Sequence, residues 1–79
     1  MELSLISGRA HPELAKAIAS HLGISVQDCL IEAFPDDELQ IKVTDSLLGH
    51  DVFVIQPTGP PVGRHLLELM LVADACRRA

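Results

Sequence analysis

A phenylalanine and three carboxylates lie within the five residues from Phe34 to Glu38, in the order Phe-Pro-Asp-Asp-Glu. An exposed phenyl ring offers a flat apolar face, and Asp36 and Glu38 would offer hydrogen-bond acceptors beside it. A stacking surface with neighbouring acceptors is what an adenine base requires, because its exocyclic amine donates hydrogen bonds. The same residues also suit a plain hairpin turn with solvated carboxylates, since proline and aspartate are common in tight turns. Composition leaves both interpretations open.

Two other sets of residues could carry chemistry. No two of the four histidines have the close spacing of a metal site, so we expect no metal ligands in this chain. The segment QPTGPP, residues 56–61, contains the single glycine Gly59 and matches neither the P-loop nor the dinucleotide-binding fingerprint. It follows a buried strand and precedes a helix, where anions can bind, so it is either a generic anion site or a plain connection.

The composition limits the class of protein. The 79 residues are 48% hydrophobic and carry a formal net charge of −5, which disfavours a nucleic-acid surface. No apolar run approaches the ~20 residues of a membrane span, and no signal peptide is recognisable. Cys29 and Cys76 are therefore expected to be reduced core thiols. We expect a single cytoplasmic domain that binds neither nucleic acid nor membrane.

The pattern of apolar residues predicts six elements. Residues 2–6 form a strand, and a helix runs from Pro12 to a stop at Gly23. Residues 29–34 and 38–43 form two strands joined by a turn, the second with strict apolar/polar alternation. Residues 52–55 are apolar on both faces, as in the middle of a parallel sheet, and a helix covers 62–78.

The order strand–helix–strand–strand–strand–helix predicts an α/β fold with a parallel sheet flanked by helices. The last helix is apolar over more than one face, so something besides its own sheet should cover it. Such a sheet also requires another strand that the sequence does not supply, and the chain looks like the first part of a larger domain. One face of this helix groups six side chains: Val62, Leu66, Leu69, Met70, Ala73 and Cys76.

Four motifs carry a resemblance to a known family: HPELA at the first helix, Phe-x-Asp-x-Glu at residues 34–38, GHDVFVIQ at 49–56 and LLELMLVADACRRA at 66–79. In this order they resemble the N-terminal segment of ribose-phosphate pyrophosphokinase, or PRPP synthetase, over essentially the whole chain. The resemblance implies the first part of a phosphoribosyltransferase-like, Rossmann-like domain with a protruding hairpin. Residues 1–79 would form an incomplete N-terminal domain that lacks the catalytic and PRPP-binding segments.

The resemblance also implies a function. Enzymes of this family transfer the diphosphoryl group of ATP to ribose 5-phosphate, giving PRPP and AMP, with Mg²⁺ bound by segments absent here. Members form homo-oligomers, usually hexamers, in which the Phe-x-Asp-x-Glu loop contacts the adenine of ATP held by a neighbouring subunit. Phe34, Asp36 and Glu38 are the ATP-binding residues by this resemblance, and no catalytic residue is assigned to the chain, which alone would be inactive. The alternative is a non-catalytic, PRPP-synthetase-associated subunit or an inactive fragment.

The chain departs from the family pattern at five positions, two of which, Gly63 and Arg64, replace the usual polar pair before the last helix. Pro35 and Asp37 stand where the family commonly has serine and glycine, and the two residues change the shape and charge expected of the loop. Leu48 replaces an arginine of the family's phosphate and ADP regulatory site. Whether phosphate and ADP regulate a protein with this leucine is therefore left open.

Overall fold

A computed structural model describes residues 2–27, 29–35, 38–43 and 46–79. The order of elements predicted from the sequence is confirmed, as is the α/β class. The first strand extends to Ser7, and the last begins at His50, two residues before its predicted start. In chain order the elements are β1 (Glu2–Ser7), α1 (Pro12–Leu22), β2 (Cys29–Ala33), β3 (Leu39–Val43), β4 (His50–Ile55) and α2 (Val62–Arg78).

The strands form two separate pairs. β1 and β4 are parallel, in register from Glu2 opposite His50 to Ser7 opposite Ile55. β2 and β3 form an antiparallel hairpin that ends with Ala33 opposite Leu39. Helix α1 packs on β1, whereas α2 packs on β3 and β4. The parallel pair therefore has a helix on each face, and the hairpin lies on the α2 side.

Helix α1 begins and ends at the residues that the sequence predicts. The His11 imidazole accepts a hydrogen bond from the Leu14 N–H at 3.0 Å, and Pro12 occupies the first turn. Gly23 follows the helix with a φ of 71°, a left-handed conformation that glycine adopts without steric cost. Local sequence therefore sets both ends of α1.

The larger part of the core lies between the parallel pair, the hairpin and α2. Its buried centre consists of Ile6, Leu47 and Val72. Alternate residues of a strand face opposite sides of the sheet. Leu5 faces the other way, where Ala15 and Ala19 of α1 are also buried. The half-buried apolar residues around the centre include Cys29, Ile31, Ile41, Val43, Val52, Val54 and Cys76.

Helix α2 faces the core with a different side from the six-residue apolar face noted in the sequence. Its buried residues are Glu68, Val72 and Ala75, whereas Val62 and Met70 are 54% and 62% exposed. The physical reason is Glu68, whose carboxylate is held in the interior by partners from two other segments. The N-terminal half of that apolar face consequently lies on the protein surface.

Among the described residues, no helix combines the length and the apolar content needed to cross a bilayer.

Candidate adenine-binding loop

The hairpin loop is closed by a backbone hydrogen bond directly beyond the last strand pair. The Phe34 N–H donates to the Glu38 carbonyl oxygen at 2.8 Å. Residues 34 and 38 therefore lie opposite each other at the base of the loop. The Phe34 side chain is 39% exposed, so part of its ring is available to a flat ligand.

The alternation of side chains along the hairpin fixes this loop on the body of the protein. One face carries Ile31 and Ile41, which lie opposite each other and pack against the core. The other face is exposed and carries Leu30, Glu32, Gln40 and Lys42. A hairpin with one buried face has a defined register, because a slip of one residue would expose the apolar face. The register thereby determines which residues form the loop.

The structure describes two of the three residues predicted to bind ATP. It brings Phe34 and Glu38 together at the loop base, with Glu38 on the surface. Asp36, together with its neighbour Asp37, lies outside the described residues. The assignment of Phe34, Asp36 and Glu38 to adenine binding stays a prediction.

A buried carboxylate joins α2 to the loop after β1. Glu68 is 1% exposed. Its Oε2 accepts the Arg9 backbone N–H at 2.6 Å, and its Oε1 accepts Arg9 Nε at 2.8 Å. A second guanidinium nitrogen, Arg9 Nη2, lies 2.8 Å from Oε1. The Gln56 amide adds a further donor to Oε2 at 2.9 Å.

Gln56 connects this carboxylate to the loop after β1. Its Oε1 accepts the Ala10 N–H at 3.0 Å, and a β-carbon on Gly8 would collide with the Gln56 amide. Gly8 also donates its N–H to the Ile55 carbonyl at 3.0 Å. The loop of residues 8–10 is therefore fixed at the carboxyl ends of β1 and β4, the side on which open α/β sheets bind ligands.

The Arg9–Gln56–Glu68 network was not predicted from the sequence. Gln56 belongs to the segment QPTGPP, for which the sequence indicates only an anion site or a plain connection. The available signal was that Glu68 precedes Val72 by four residues, which puts both on one stripe of the helix. Through these hydrogen bonds the Glu68 carboxylate connects α2 to Arg9 in the loop after β1 and to Gln56 after β4.

Three of the histidines have structural partners. His50 Nδ1 lies 2.6 Å from Ser4 Oγ, and its Nε2 lies 3.3 Å from the Glu2 carboxylate. His65 Nδ1 lies 2.8 Å from the Gly59 carbonyl, and His11 caps α1. Over the described ranges, no group of three or more histidine, cysteine, aspartate or glutamate side chains could hold a metal ion.

Both cysteines are free and half-buried in the core. Burial raises the pKa of the Cys29 thiol above its ordinary value of 9.0, and the nearby Cys76 and Glu68 raise it further. Burial also raises the pKa of Cys76. Because the thiolate is the reactive form, both residues should be slow nucleophiles near neutral pH.

This pKa direction gives a prediction for stability. A thiol whose pKa is higher in the folded than in the unfolded chain stabilises the fold below the ordinary pKa of 9.0, and this contribution is lost as pH rises above it. We expect the urea midpoint to fall between pH 8 and pH 10.5. In the double variant Cys29→Ser with Cys76→Ser the fall should be smaller. An equal fall in both proteins would show that the thiols do not contribute.

Comparison with known proteins identifies the family. Residues 3–79 match the N-terminal domain of ribose phosphate pyrophosphokinase. Ribose-phosphate pyrophosphokinase from Staphylococcus saprophyticus is 46% identical over 77 residues, which are 98% of this chain and 24% of that protein. The Thermotoga maritima protein of the same name is 41% identical over 78 residues, 99% of this chain and 25% of its own.

A solved structure agrees with these sequence matches. The crystal structure of phosphoribosylpyrophosphate synthetase from Mycobacterium smegmatis superposes with a TM-score of 0.93 at 35% identity, covering 99% of this chain and 26% of that one. The chain thus spans about a quarter of the length of these relatives. The family match, the sequence identity and the shared fold together establish that the chain belongs to the ribose-phosphate pyrophosphokinase family, in its N-terminal domain.

Proposed function

We propose that the chain forms the N-terminal part of a ribose-phosphate diphosphokinase, which transfers the diphosphoryl group of ATP to ribose 5-phosphate and yields PRPP and AMP. Family membership supports the reaction class. The observation that carries the role of this segment is the closed hairpin loop with the partly exposed Phe34 ring at its base. The transfer itself would be a property of the complete protein.

The loop would contribute by binding the base of ATP. Phe34 would stack on the adenine, and carboxylate oxygens of Asp36 and Glu38 would accept hydrogen bonds from its exocyclic amine. Contacts far from the reacting phosphorus still favour the reaction, because they hold the triphosphate in position for attack by the sugar hydroxyl. The packing of β3 against α2 supports such positioning.

Mg²⁺ would be bound outside this segment. The described residues include no cluster suited to a metal ion, so we assign no Mg²⁺ ligand to them. In phosphoryl transfer the metal neutralises charge on the phosphate oxygens. The part assigned to this chain is restricted to holding the base.

The quaternary arrangement follows from the same proposal. We propose a cytoplasmic homo-oligomer, hexamer-like as in the family, in which the loop of one subunit reaches the ATP bound mainly by its neighbour. An exposed loop closed at its base by a hydrogen bond suits a contact that crosses a subunit boundary.

The test uses a chimera in which residues 1–79 replace the matching segment of the Staphylococcus saprophyticus enzyme. If Glu38 selects adenine, Glu38→Ala should reduce the preference for ATP over GTP by roughly 10- to 150-fold, the value of one hydrogen bond to a charged group, about 1.5–3 kcal/mol. The preference is measured as the ratio of kcat/KM for the two nucleotides. Glu32→Ala, on the exposed face of the same hairpin, should leave the ratio unchanged. An unchanged ratio in Glu38→Ala would show that Glu38 does not contribute to recognition of the base.

A further inference from the structure

The two free cysteines come from distant segments of the chain and lie in the same core. Cys29 is the first residue of β2, and Cys76 lies in the last turn of α2. Both are half-buried, and both pack against the buried cluster of Ile6, Leu47 and Val72. The core therefore brings a thiol of the hairpin near a thiol of the helix.

The register of the hairpin turns Cys29 towards the C-terminal part of α2. Cys29 lies opposite Val43 in β3, and β3 packs on α2. Directly opposite residues of an antiparallel pair share one face of the sheet. Val43 borders a cleft together with Ala75 and Ala79, the residues on either side of Cys76 along the helix. The face that carries Cys29 is thus the face that meets the last turn of α2.

The two thiols also interact electrostatically. Burial is the larger cause of the raised pKa of Cys29, and the charge of Cys76 raises it next, followed by Glu68. The interaction between two charges weakens with the distance between them. The effect of Cys76 on Cys29 therefore agrees with their contact with a common cluster.

We propose that Cys29 and Cys76 form a disulfide when the protein meets a disulfide oxidant such as oxidised glutathione, and that this bond cross-links the hairpin to α2. One thiolate attacks the oxidant, forms a mixed disulfide and releases the first glutathione. The second thiolate then attacks the protein sulfur of that mixed disulfide and releases the second glutathione. The protein loses two electrons and two protons, which the two glutathione molecules take up. The proposal is independent of the assigned reaction.

An oxidant can reach the thiols through open clefts. Cys76 lines a groove of about 320 Å³ along β4, and Cys29 lines a cleft of about 350 Å³ beside Arg9 and Pro12. The first attack should be slow at neutral pH, because the thiolate is the attacking form and burial raises the pKa of both thiols. We therefore expect the rate of oxidation to increase as pH rises towards 9.0, the ordinary pKa of the group.

Thiol–disulfide equilibrium tests the proposal. The chain is equilibrated in mixtures of reduced and oxidised glutathione and quenched with acid, and the Cys29–Cys76 disulfide is quantified by mass spectrometry. The effective concentration of the two thiols should be roughly 30-fold or more higher in the folded chain than in concentrated urea, because a disulfide that fits the fold stabilises it. Equal effective concentrations in the two conditions would overturn the proposal.

Single substitutions supply matched controls. Cys29→Ser and Cys76→Ser each retain one thiol, so oxidation should stop at the mixed disulfide with glutathione. Oxidation of the natural chain should raise its urea midpoint and slow amide exchange in the hairpin ladder, since the hairpin is then tied to α2. Neither single variant should show these gains.

Two further outcomes would overturn the proposal. One is a folded protein that carries mixed disulfides at both cysteines and no internal bond. The other is an oxidised protein whose urea midpoint is lower than that of the reduced protein. If circular dichroism shows that the isolated chain is unfolded, the same measurements are made in the chimera, where peptide mapping identifies the Cys29–Cys76 bond.

Discussion

Replacing Glu68 with alanine should lower the free energy of unfolding by about 1.5–3 kcal/mol, because the Gln56 amide loses its hydrogen bond to a buried charge, whereas the Arg9 guanidinium, 47% exposed, can be hydrated. The residue is 1% exposed, and loss of its side chain would leave the Gln56 amide without its carboxylate partner and Arg9 without its counter-ion. The total free energy of unfolding expected for a chain of 79 residues is about 4–12 kcal/mol. Urea unfolding followed by circular dichroism should therefore show a large fall in midpoint or a chain already partly unfolded.

Asp74 supplies the matched control on the same helix. Its carboxylate lies 3.0 Å from Arg78 Nη2, but the two side chains are 59% and 72% exposed. Asp74→Ala should cost only about 0–1 kcal/mol, because water screens an exposed pair. If Glu68→Ala proves equally mild, the buried network does not hold the carboxyl ends of β1 and β4 together.

The second large effect is expected at Phe34. In the chimera, Phe34→Ala should weaken ATP binding by about 1–3 kcal/mol, roughly 5- to 150-fold, the range for loss of base–aromatic stacking. The KM for ATP should rise while the KM for ribose 5-phosphate changes little, since the loop is proposed to contact the base alone. Phe34→Trp, which retains a flat ring, should recover most of the affinity.

Leu30 is the control for this substitution, since it lies on the same hairpin and is 48% exposed. Leu30→Ala should leave the KM for ATP unchanged. Equal effects of Phe34→Ala and Leu30→Ala would mean that the hairpin tolerates truncation poorly and that Phe34 does not stack on the base. An unchanged KM in Phe34→Ala would support a plain turn.

Elements set by local sequence were predictable. Pro12 and Gly23 limit α1 because their backbone preferences act within one or two residues. The alternation of Leu39, Ile41 and Val43 predicted a strand with one buried face, and these three residues are half-buried in β3. The apolar run of β4 likewise predicted a parallel partner, which is β1.

Features that depend on distant partners were not predictable in the same way. Arg9 and Glu68 are 59 residues apart, and Gln56 meets Ala10 across 46 residues. No local pattern reveals such pairs, so the sequence predicts neither the burial of Glu68 nor the side of α2 that packs on the core. The loop residues Phe34, Asp36 and Glu38 were selected through family resemblance, because their types alone fit a turn equally well.

Formation of PRPP by the chimera is the most direct test of the central claim, that residues 1–79 serve as the N-terminal part of a ribose-phosphate diphosphokinase. The assay measures PRPP and AMP produced from ATP and ribose 5-phosphate, with the intact Staphylococcus saprophyticus enzyme as reference. We predict PRPP and AMP in equal amounts from the chimera. A chimera that folds and assembles like the reference but forms no PRPP would contradict this claim and favour a non-catalytic, synthetase-associated role.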